Sequence, residues 1–298
     1  MSENQNKEKQ SKVFKPIPFL AGLDEIKQDL IIRSKIGDVT YGVEILDDCV
    51  EFIRPSTVTL IMATPNTGKS LLAQNIACHI AQQGKKVLFC SCEMTAGLLM
   101  ERQLKQIMGV TNKQLIEGYK KHPSSIDKIF DSIMDNKEYS YLKNIAILDI
   151  GGISIERLLE VFDEYKEYEF IIVDYIQRIK GNGTTEYEQL KDVSYSLQIY
   201  AMENCRAIIE CSQIPKTVET DSKTEKKGID FTKLRAKGAG NMEEDAHIAI
   251  KMAEDFDANG NRCVLINLSK NKYGNIKCIT YKYQIDPRLN FKLIQKGI

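Results

Sequence analysis

The loop Ala63-Thr64-Pro65-Asn66-Thr67-Gly68-Lys69-Ser70, with Leu71 directly after it, carries the most specific chemistry in the chain. It follows an apolar run and opens a helical pattern. In that context backbone N–H groups and a helix N-terminus converge on a phosphate. Lys69 would add a positive charge near the β and γ phosphates of a nucleotide, and the Ser70 hydroxyl is placed to ligate Mg²⁺. Ala63 departs from the general pattern, which has glycine there. Asp174 follows the run Phe170-Ile171-Ile172-Val173. A carboxylate at the carboxyl end of a parallel strand points into the ligand crevice, where it would hold magnesium, through water, beside Lys69. Glu93 follows the run Val87 to Cys92 and could orient or deprotonate the water that attacks a γ-phosphate. Gln213, after Ala207 to Ser212, is a polar group in a similar place, suited to sensing the γ-phosphate or to bonding a loop. The ligands expected are ATP and Mg²⁺.

Several elements must position these groups. Thr59-Leu60-Ile61-Met62-Ala63 reads as a buried strand, followed by a helix with Leu72, Ile76 and Ile80 on one face and Gly84 as its stop. Val87 to Cys92 is the next strand, then a helix from about Ala96; Asn144 to Leu148 is a third strand and Ile153 to Tyr165 its helix. Phe170 to Val173 is a fourth strand, Leu190, Val193, Leu197 and Tyr200 mark a long helix, and Ala207-Ile208-Ile209 a fifth strand. Continuous apolar strands separated by helices predict an α/β fold: a mostly parallel sheet covered on both faces. Ile248 to Ile250, Cys263 to Leu268 and Ile276 to Tyr283, joined by short loops, read as antiparallel strands added at the sheet's edge. Residues 41–298 are expected to form one domain. Residues 1–40 read as an N-terminal arm, disordered at first and then helical from Gly22 to Ile36, where Leu23, Ile26, Leu30 and Ile31 recur at helical spacing.

Composition narrows the function classes. The 298 residues are 43% hydrophobic and 28% charged, with mean hydropathy -0.30, the proportions of a globular protein. No run approaches the ~18 apolar residues of a spanning helix, so no membrane partner is expected. Basic and acidic residues number 41 each, so any polyanion must be held by locally arranged groups. The eight cysteines form no C-x-x-C pair and the three histidines are scattered; the cysteines read as small buried hydrophobes in a reducing compartment. Without an apolar leader at Met1 to Lys7, a cytoplasmic location is expected.

Tyr41-Gly42-Val43-Glu44-Ile45-Leu46-Asp47-Asp48, the loop Ala63 to Ser70, Ser91-Cys92-Glu93-Met94, Asp174-Tyr175-Ile176-Gln177 and Ser212-Gln213 occur in an order that resembles the RecA-like motor domain of DnaB-type replicative helicases. The similarity continues through Leu234 to Gly238, Glu243 to Ala246 and Lys270-Asn271-Lys272-Tyr273-Gly274, so that it spans roughly Tyr41 to Tyr283. The resemblance implies a RecA-like P-loop ATPase core. Glu93 is then the catalytic base, Lys69 and Ser70 hold phosphate and magnesium, and Asp174 supports the metal. Arg102 approaches the nucleotide, and Gln213 couples γ-phosphate state to a DNA loop. Lys270 and Lys272 form a basic pair that reaches the neighbouring subunit's nucleotide. It also implies a homo-oligomeric, hexameric ring around single-stranded DNA, with a primase or helicase loader as a further partner.

Three departures accompany the likeness. Lys272 stands where the family commonly has an arginine finger, and lysine offers a point charge in place of a planar fork. Arg262 is the nearest substitute in sequence among only nine arginines. Ala236 replaces an acidic residue, and the family's N-terminal collar domain is not found. Residues 214–240 read as a long loop of low apolar content, in which seven basic side chains, Lys233, Arg235 and Lys237 among them, outnumber four acidic ones. Lys233, Arg235, Lys237 and Gly238 are the expected DNA contacts, Gly238 because it admits backbone N–H groups close to phosphate. The leading expectation is an ATP-driven ring helicase. The alternative is an accessory or loader-type ATPase that binds DNA or a replicative helicase without unwinding.

Overall fold

The computed structural model describes residues 22–215, 223–224, 228–234, 242–274 and 278–297. The chain divides into two compact units, Met1–Gly37 and Asp38–Ile298. In the first, α1 (Gly22–Ile36) closes with the Gly37 N–H donating to the Arg33 carbonyl at 2.7 Å, and Leu23, Ile26, Leu30 and Ile31 are exposed.

The second unit begins with a short helix, α2 (Glu44–Cys49). Strand β1 (Thr57–Ala63) is buried at every position, as is β2 (Val87–Ser91), and α3 (Lys69–Gln82) joins them. Helices α4 (Ala96–Met108), α5 (Asn112–Lys121) and α6 (Pro123–Asp135) follow, none of the last two having been foreseen between Met108 and Asn144. Thr111 caps α5 reciprocally with Gln114, and Pro123 occupies the first turn of α6, where its missing N–H costs nothing. Strand β3 (Ile145–Asp149), α7 (Ile155–Glu164), β4 (Phe170–Asp174), α8 (Glu186–Asn204) and β5 (Ala207–Gln213) complete the alternating part. Beyond it lie a two-residue ladder of β6 (Lys223–Thr224) with β7 (Gly228–Ile229), the short α9 (Met242–Asp245), and β8 (Ile248–Phe256), β9 (Arg262–Asn271), β10 (Ile279–Ile285) and β11 (Phe291–Gln295).

Among the described residues nine strands form one sheet in the order β11-β10-β9-β8-β1-β5-β4-β2-β3. The strands from β3 through β1 are parallel. One expectation is corrected here: β8 pairs parallel to β1, Thr59 opposite Ile248, and belongs to the parallel core. The connection from β5 to β8 is long enough for a crossover, which parallel pairing requires; the short loops lie only after β8. The antiparallel edge is β9, β10 and β11, and β11 extends it beyond the expected strands. Val58, Leu60, Leu88, Val173, Leu197 and Ile208 belong to the core on one sheet face, each fully or almost fully buried. Each such aliphatic side chain contributes roughly 1.5–3 kcal/mol.

Candidate nucleotide site

Parallel strands present their carboxyl ends along one edge, and the register sets what meets there. Ala63 pairs with Gln213, and Ser91 pairs with both Asp174 and Asp149. Strand β5 therefore lies between the phosphate loop on β1 and the carboxylate on β4. Lys69 crosses it: its ammonium is ion-paired with the Asp174 carboxylate, and both groups are buried. Burial opposes the charge on Lys69, yet the paired Asp174 carboxylate, with Glu93 adding to it, holds its pKa above the ordinary lysine value. Burial in turn keeps the Cys211 thiol protonated. The Tyr175 ring lies 4.8 Å from the Lys69 ammonium, and the Asp174–Tyr175 peptide bond is cis.

The loop itself is shaped for an anion. Asn66 and Gly68 take left-handed conformations, φ 68° and 105°, and the Thr64 and Thr67 hydroxyls bond at 2.6 Å. No side chain caps α3, which leaves its first N–H groups for a ligand. A Cβ on Gly68 would stand 3.3 Å from Phe291 and 3.4 Å from Ile285, so the β10–β11 hairpin packs on the loop and helps exclude larger residues there. Ser70 and Asp174 offer hard oxygen donors of the kind magnesium takes, close to Lys69 in space, and the donor set fits that ion.

The other expected residues distribute as follows. Glu93 lies two residues beyond β2, in an exposed turn whose base is the Ser91 hydroxyl donating to the Met94 carbonyl at 2.5 Å. Strand β2 is third from β1 across the sheet, which puts Glu93 on the Asp174 side of the loop, near enough for its charge to act on Lys69. Arg102 is on α4, one guanidinium nitrogen 2.9 Å from the Met94 sulfur and another buried with no partner; burial lowers its pKa and Asp174 opposes that shift. Gln213 ends β5 beside Ala63, and its carbonyl accepts from the Gln177 amide at 3.2 Å; the same amide donates to Ser212 at 2.7 Å. A cleft of about 320 Å³ opens between Pro65, Tyr175, Gln177, Arg178 and Gln213. Tyr175 and Gln177 thus line the site; the Asp-Tyr-x-Gln step signalled them without saying what they touch.

Lys270 and Lys272 sit elsewhere. Strand β9 runs against β8, with Lys270 opposite Ala249 and Asn271 opposite Ile248, at the start of β1 and not at its loop end. Lys272 is exposed there, its N–H donating to the His247 carbonyl at 2.9 Å. Lys270 turns back on its own chain, its ammonium on the Glu243 carbonyl at 2.7 Å and on that of Glu244. Burial, then Lys272 and Lys270, push the pKa of His247 down to about 4, so it is neutral at pH 7. Arg262 lies at the opposite edge: its guanidinium donates to the Asn66 carbonyl of the phosphate loop and pairs with Glu254 at 2.6 Å. It serves the chain's own loop and cannot stand in for a group beside Lys272.

Of the expected DNA contacts, Lys233 is exposed and 3.8 Å from Asp230; Arg235, Lys237 and Gly238 lie outside the described residues. Residues 228–234 differ from a wholly solvated loop, because Leu234 is fully buried and Ile229 and Phe231 pack against the core. Among the described residues no group of three His, Cys, Asp or Glu side chains could hold a metal without a ligand's help, and no helix is long and apolar enough to cross a membrane.

Residues 38–289 match the DnaB-like helicase C terminal domain family. A probable plasmid replicative DNA helicase of Chlamydia muridarum is 28% identical over 287 residues, 93% of this chain and 60% of that protein. The replicative DNA helicase DnaB of Pasteurella multocida is 27% identical, covering 77% of this chain and 49% of that one. The chain thus spans half to three-fifths of the length of these relatives. Among solved structures, one described as an ATPase domain superposes with a TM-score of 0.72 at 20% identity, covering 94% of this chain and all of that one. A DnaB-like replicative helicase, described together with its interactions with primase, gives 0.68 at 20% identity, with coverage of 93% and 67%. The RadB recombinase gives 0.54 at 15%, with 84% and 97%. These superpositions establish the RecA-like fold.

Proposed function

The chain belongs to the DnaB-like helicase C-terminal domain family, and from that premise we propose that it is the motor domain of a cytoplasmic, ring-forming DNA helicase that hydrolyses ATP at subunit boundaries and translocates on single-stranded DNA. The observation that carries this reading is a site divided between two edges of one sheet. The loop, Lys69, Asp174, Glu93 and Gln213 lie at the carboxyl ends of the strands, and Lys272 is exposed at the other edge. Strand β1 alone separates these edges by seven residues, about 23 Å, so Lys272 can serve only a nucleotide bound by another copy.

In this reading the N–H groups of residues 66–70 and the Lys69 ammonium bind the β and γ phosphates. Lys69 exchanges part of its contact with Asp174 for the ligand. Ser70 and Asp174 would hold magnesium, which when bound would supply charge neutralisation on the triphosphate. Glu93 orients the attacking water and takes its proton. Gln213 meets the γ-phosphate end of the ligand, and its backbone is tied to Gln177 in the turn after β4; movement there passes into the segment that follows β5. Lys233, Arg235, Lys237 and Gly238 face the strand's phosphates, with a hexamer multiplying a modest surplus of charge around the channel. A primase or loader is a further partner.

The engagement of Lys270 within its own chain favours, as a second reading, an accessory ATPase that binds DNA or a replicative helicase without unwinding it. Separation of a forked duplex distinguishes them. Strand separation with ATP, absent with a non-hydrolysable analogue and in Lys69→Ala, is the expected result. DNA-stimulated hydrolysis with no strand separation would establish the accessory role.

A further inference from the structure

A second cation stands beside Lys272. Arg54 precedes β1 by three residues, and its guanidinium lies 4.7 Å from the ring centre of Phe52 and 4.7 Å from that of Tyr273. Tyr273 in turn stacks on His247, 6.1 Å away and within 2° of parallel. His247 is pinned to β1, donating its N–H to the Val58 carbonyl at 2.9 Å and accepting from the Val58 N–H at 3.1 Å. Phe52, Arg54, Tyr273 and His247 therefore form a stack at the edge of the sheet where Lys272 emerges. Two rings fix the guanidinium's position at little further entropy cost. Among the described residues no carboxylate pairs with Arg54, and its Nε is buried without a hydrogen-bond partner. It is a half-buried, positioned, uncompensated guanidinium, at the edge where Lys272 is exposed.

We propose that Arg54, clamped between Phe52 and Tyr273 next to Lys272, supplies the planar guanidinium that contacts the γ-phosphate held in the loop of a second copy of this chain. The proposal rests on the boundary-site reading and deepens it. Lys272 brings a point charge and Arg54 the two-pronged donor set that spreads over phosphate oxygens. Arg54 is too far to act on its own loop, since all of β1 intervenes. In the reaction, the water oxygen bonds to the γ-phosphorus as the bond to the β–γ bridging oxygen breaks. That electron pair leaves on ADP, and the water's proton passes to Glu93. Arg54 gains contact as negative charge shifts onto the bridging and equatorial oxygens.

The test uses the full chain with Arg54→Ala, Arg54→Gln and Arg54→Lys, and Lys272→Ala alongside. Fluorescent ADP and ATP analogues should bind the Arg54 variants with wild-type affinity. Affinity for ADP with aluminium fluoride should fall about tenfold or more, and kcat for ATP should fall by a similar factor, with little change in KM. Arg54→Gln keeps the side-chain stem between the two rings and decides the matter if Arg54→Ala does not fold. Mixing Arg54→Ala with Lys69→Ala should raise hydrolysis above the sum of the two variants alone, because some boundaries then join an intact loop to an intact Arg54. Wild-type kcat and aluminium fluoride affinity in Arg54→Gln would overturn the proposal, as would full activity of Arg54→Lys. If Lys272→Ala mixed with Lys69→Ala recovers and the Arg54 mixture does not, Arg54 is excluded and the boundary site stands. If neither mixture recovers, the boundary site itself fails.

Discussion

Glu210 is the sharpest test of how this sheet treats charge. It lies in the middle of β5, flanked by β1 and β4, with no exposed surface. The Ser194 hydroxyl donates to one carboxyl oxygen at 2.8 Å, and the other oxygen has no partner. Burial, reinforced by the nearby Asp245 charge and only partly offset by Ser194, pushes its pKa from 4.5 up to about 8. The folded chain therefore keeps a proton that the unfolded chain releases between those values. Stability is unaffected by this group below about pH 4.5, falls as pH rises through the window to 8, and levels off above it. At about 1.4 kcal/mol per pH unit the full window amounts to about 5 kcal/mol. That is a large share of the 5–15 kcal/mol by which domains are ordinarily stable. Glu210→Gln retains an oxygen acceptor for Ser194 and carries no charge, so it removes the slope. Urea unfolding followed by circular dichroism, or by the fluorescence of the 13 tyrosines in a chain without tryptophan, would be run from pH 5 to 8.5. The variant's advantage over wild type should widen with pH up to about 8 and then stay constant. Parallel profiles for the two proteins would refute the argument, because they would mean that Glu210 ionises in the fold as it does in water.

Two further outcomes follow from pairs already described. Lys69→Ala should lose nucleotide binding and also destabilise the ligand-free chain by about 3–5 kcal/mol, because Asp174 is left buried and unpaired. Adding Asp174→Asn should recover much of that loss in thermal unfolding without recovering nucleotide binding, and failure to recover it would place the loss elsewhere. Leu234→Ala should cost about 2–5 kcal/mol at a fully buried site and, by releasing the anchored end of the 228–234 segment, should abolish stimulation of hydrolysis by DNA while leaving the basal rate. Unchanged stimulation would show that the segment acts through contacts other than its anchor.

The phosphate loop was legible because its signal is local. A buried strand, a turn that tolerates Asn66 and Gly68 at positive φ, and a helix starting at Lys69 are written within some twenty residues, and backbone geometry follows from side-chain type at that range. The parallel sheet was legible for a related reason: strands apolar on both faces must be covered on both faces. Strand β8 was misread as an antiparallel edge because the apolar run Ile248 to Ile250 has the same composition in either orientation, and the long crossover before it is what permits the parallel one. Helices α5 and α6 are marked locally too, by Thr111 with Gln114 three residues on, by Pro123 at a first turn, and by Ile126, Ile129, Phe130 and Ile133 at helical spacing.

From the order of its residues alone, then, this chain establishes an α/β core, the Gly68-Lys69-Ser70 turn between β1 and α3, and the carboxylate that ends β4. Sheet register and strand order decide the rest. They bring Lys69 to Asp174 across 105 positions of sequence and put Arg262 on the chain's own loop. They set Arg54 against Tyr273 beside Lys272 at the opposite edge, and they bury Glu210 where water cannot stabilise its charge. None of these juxtapositions follows from residue type, because each depends on which strands are neighbours. That choice is made by the packing of the whole sheet, through apolar contacts that any one segment could have made with several partners.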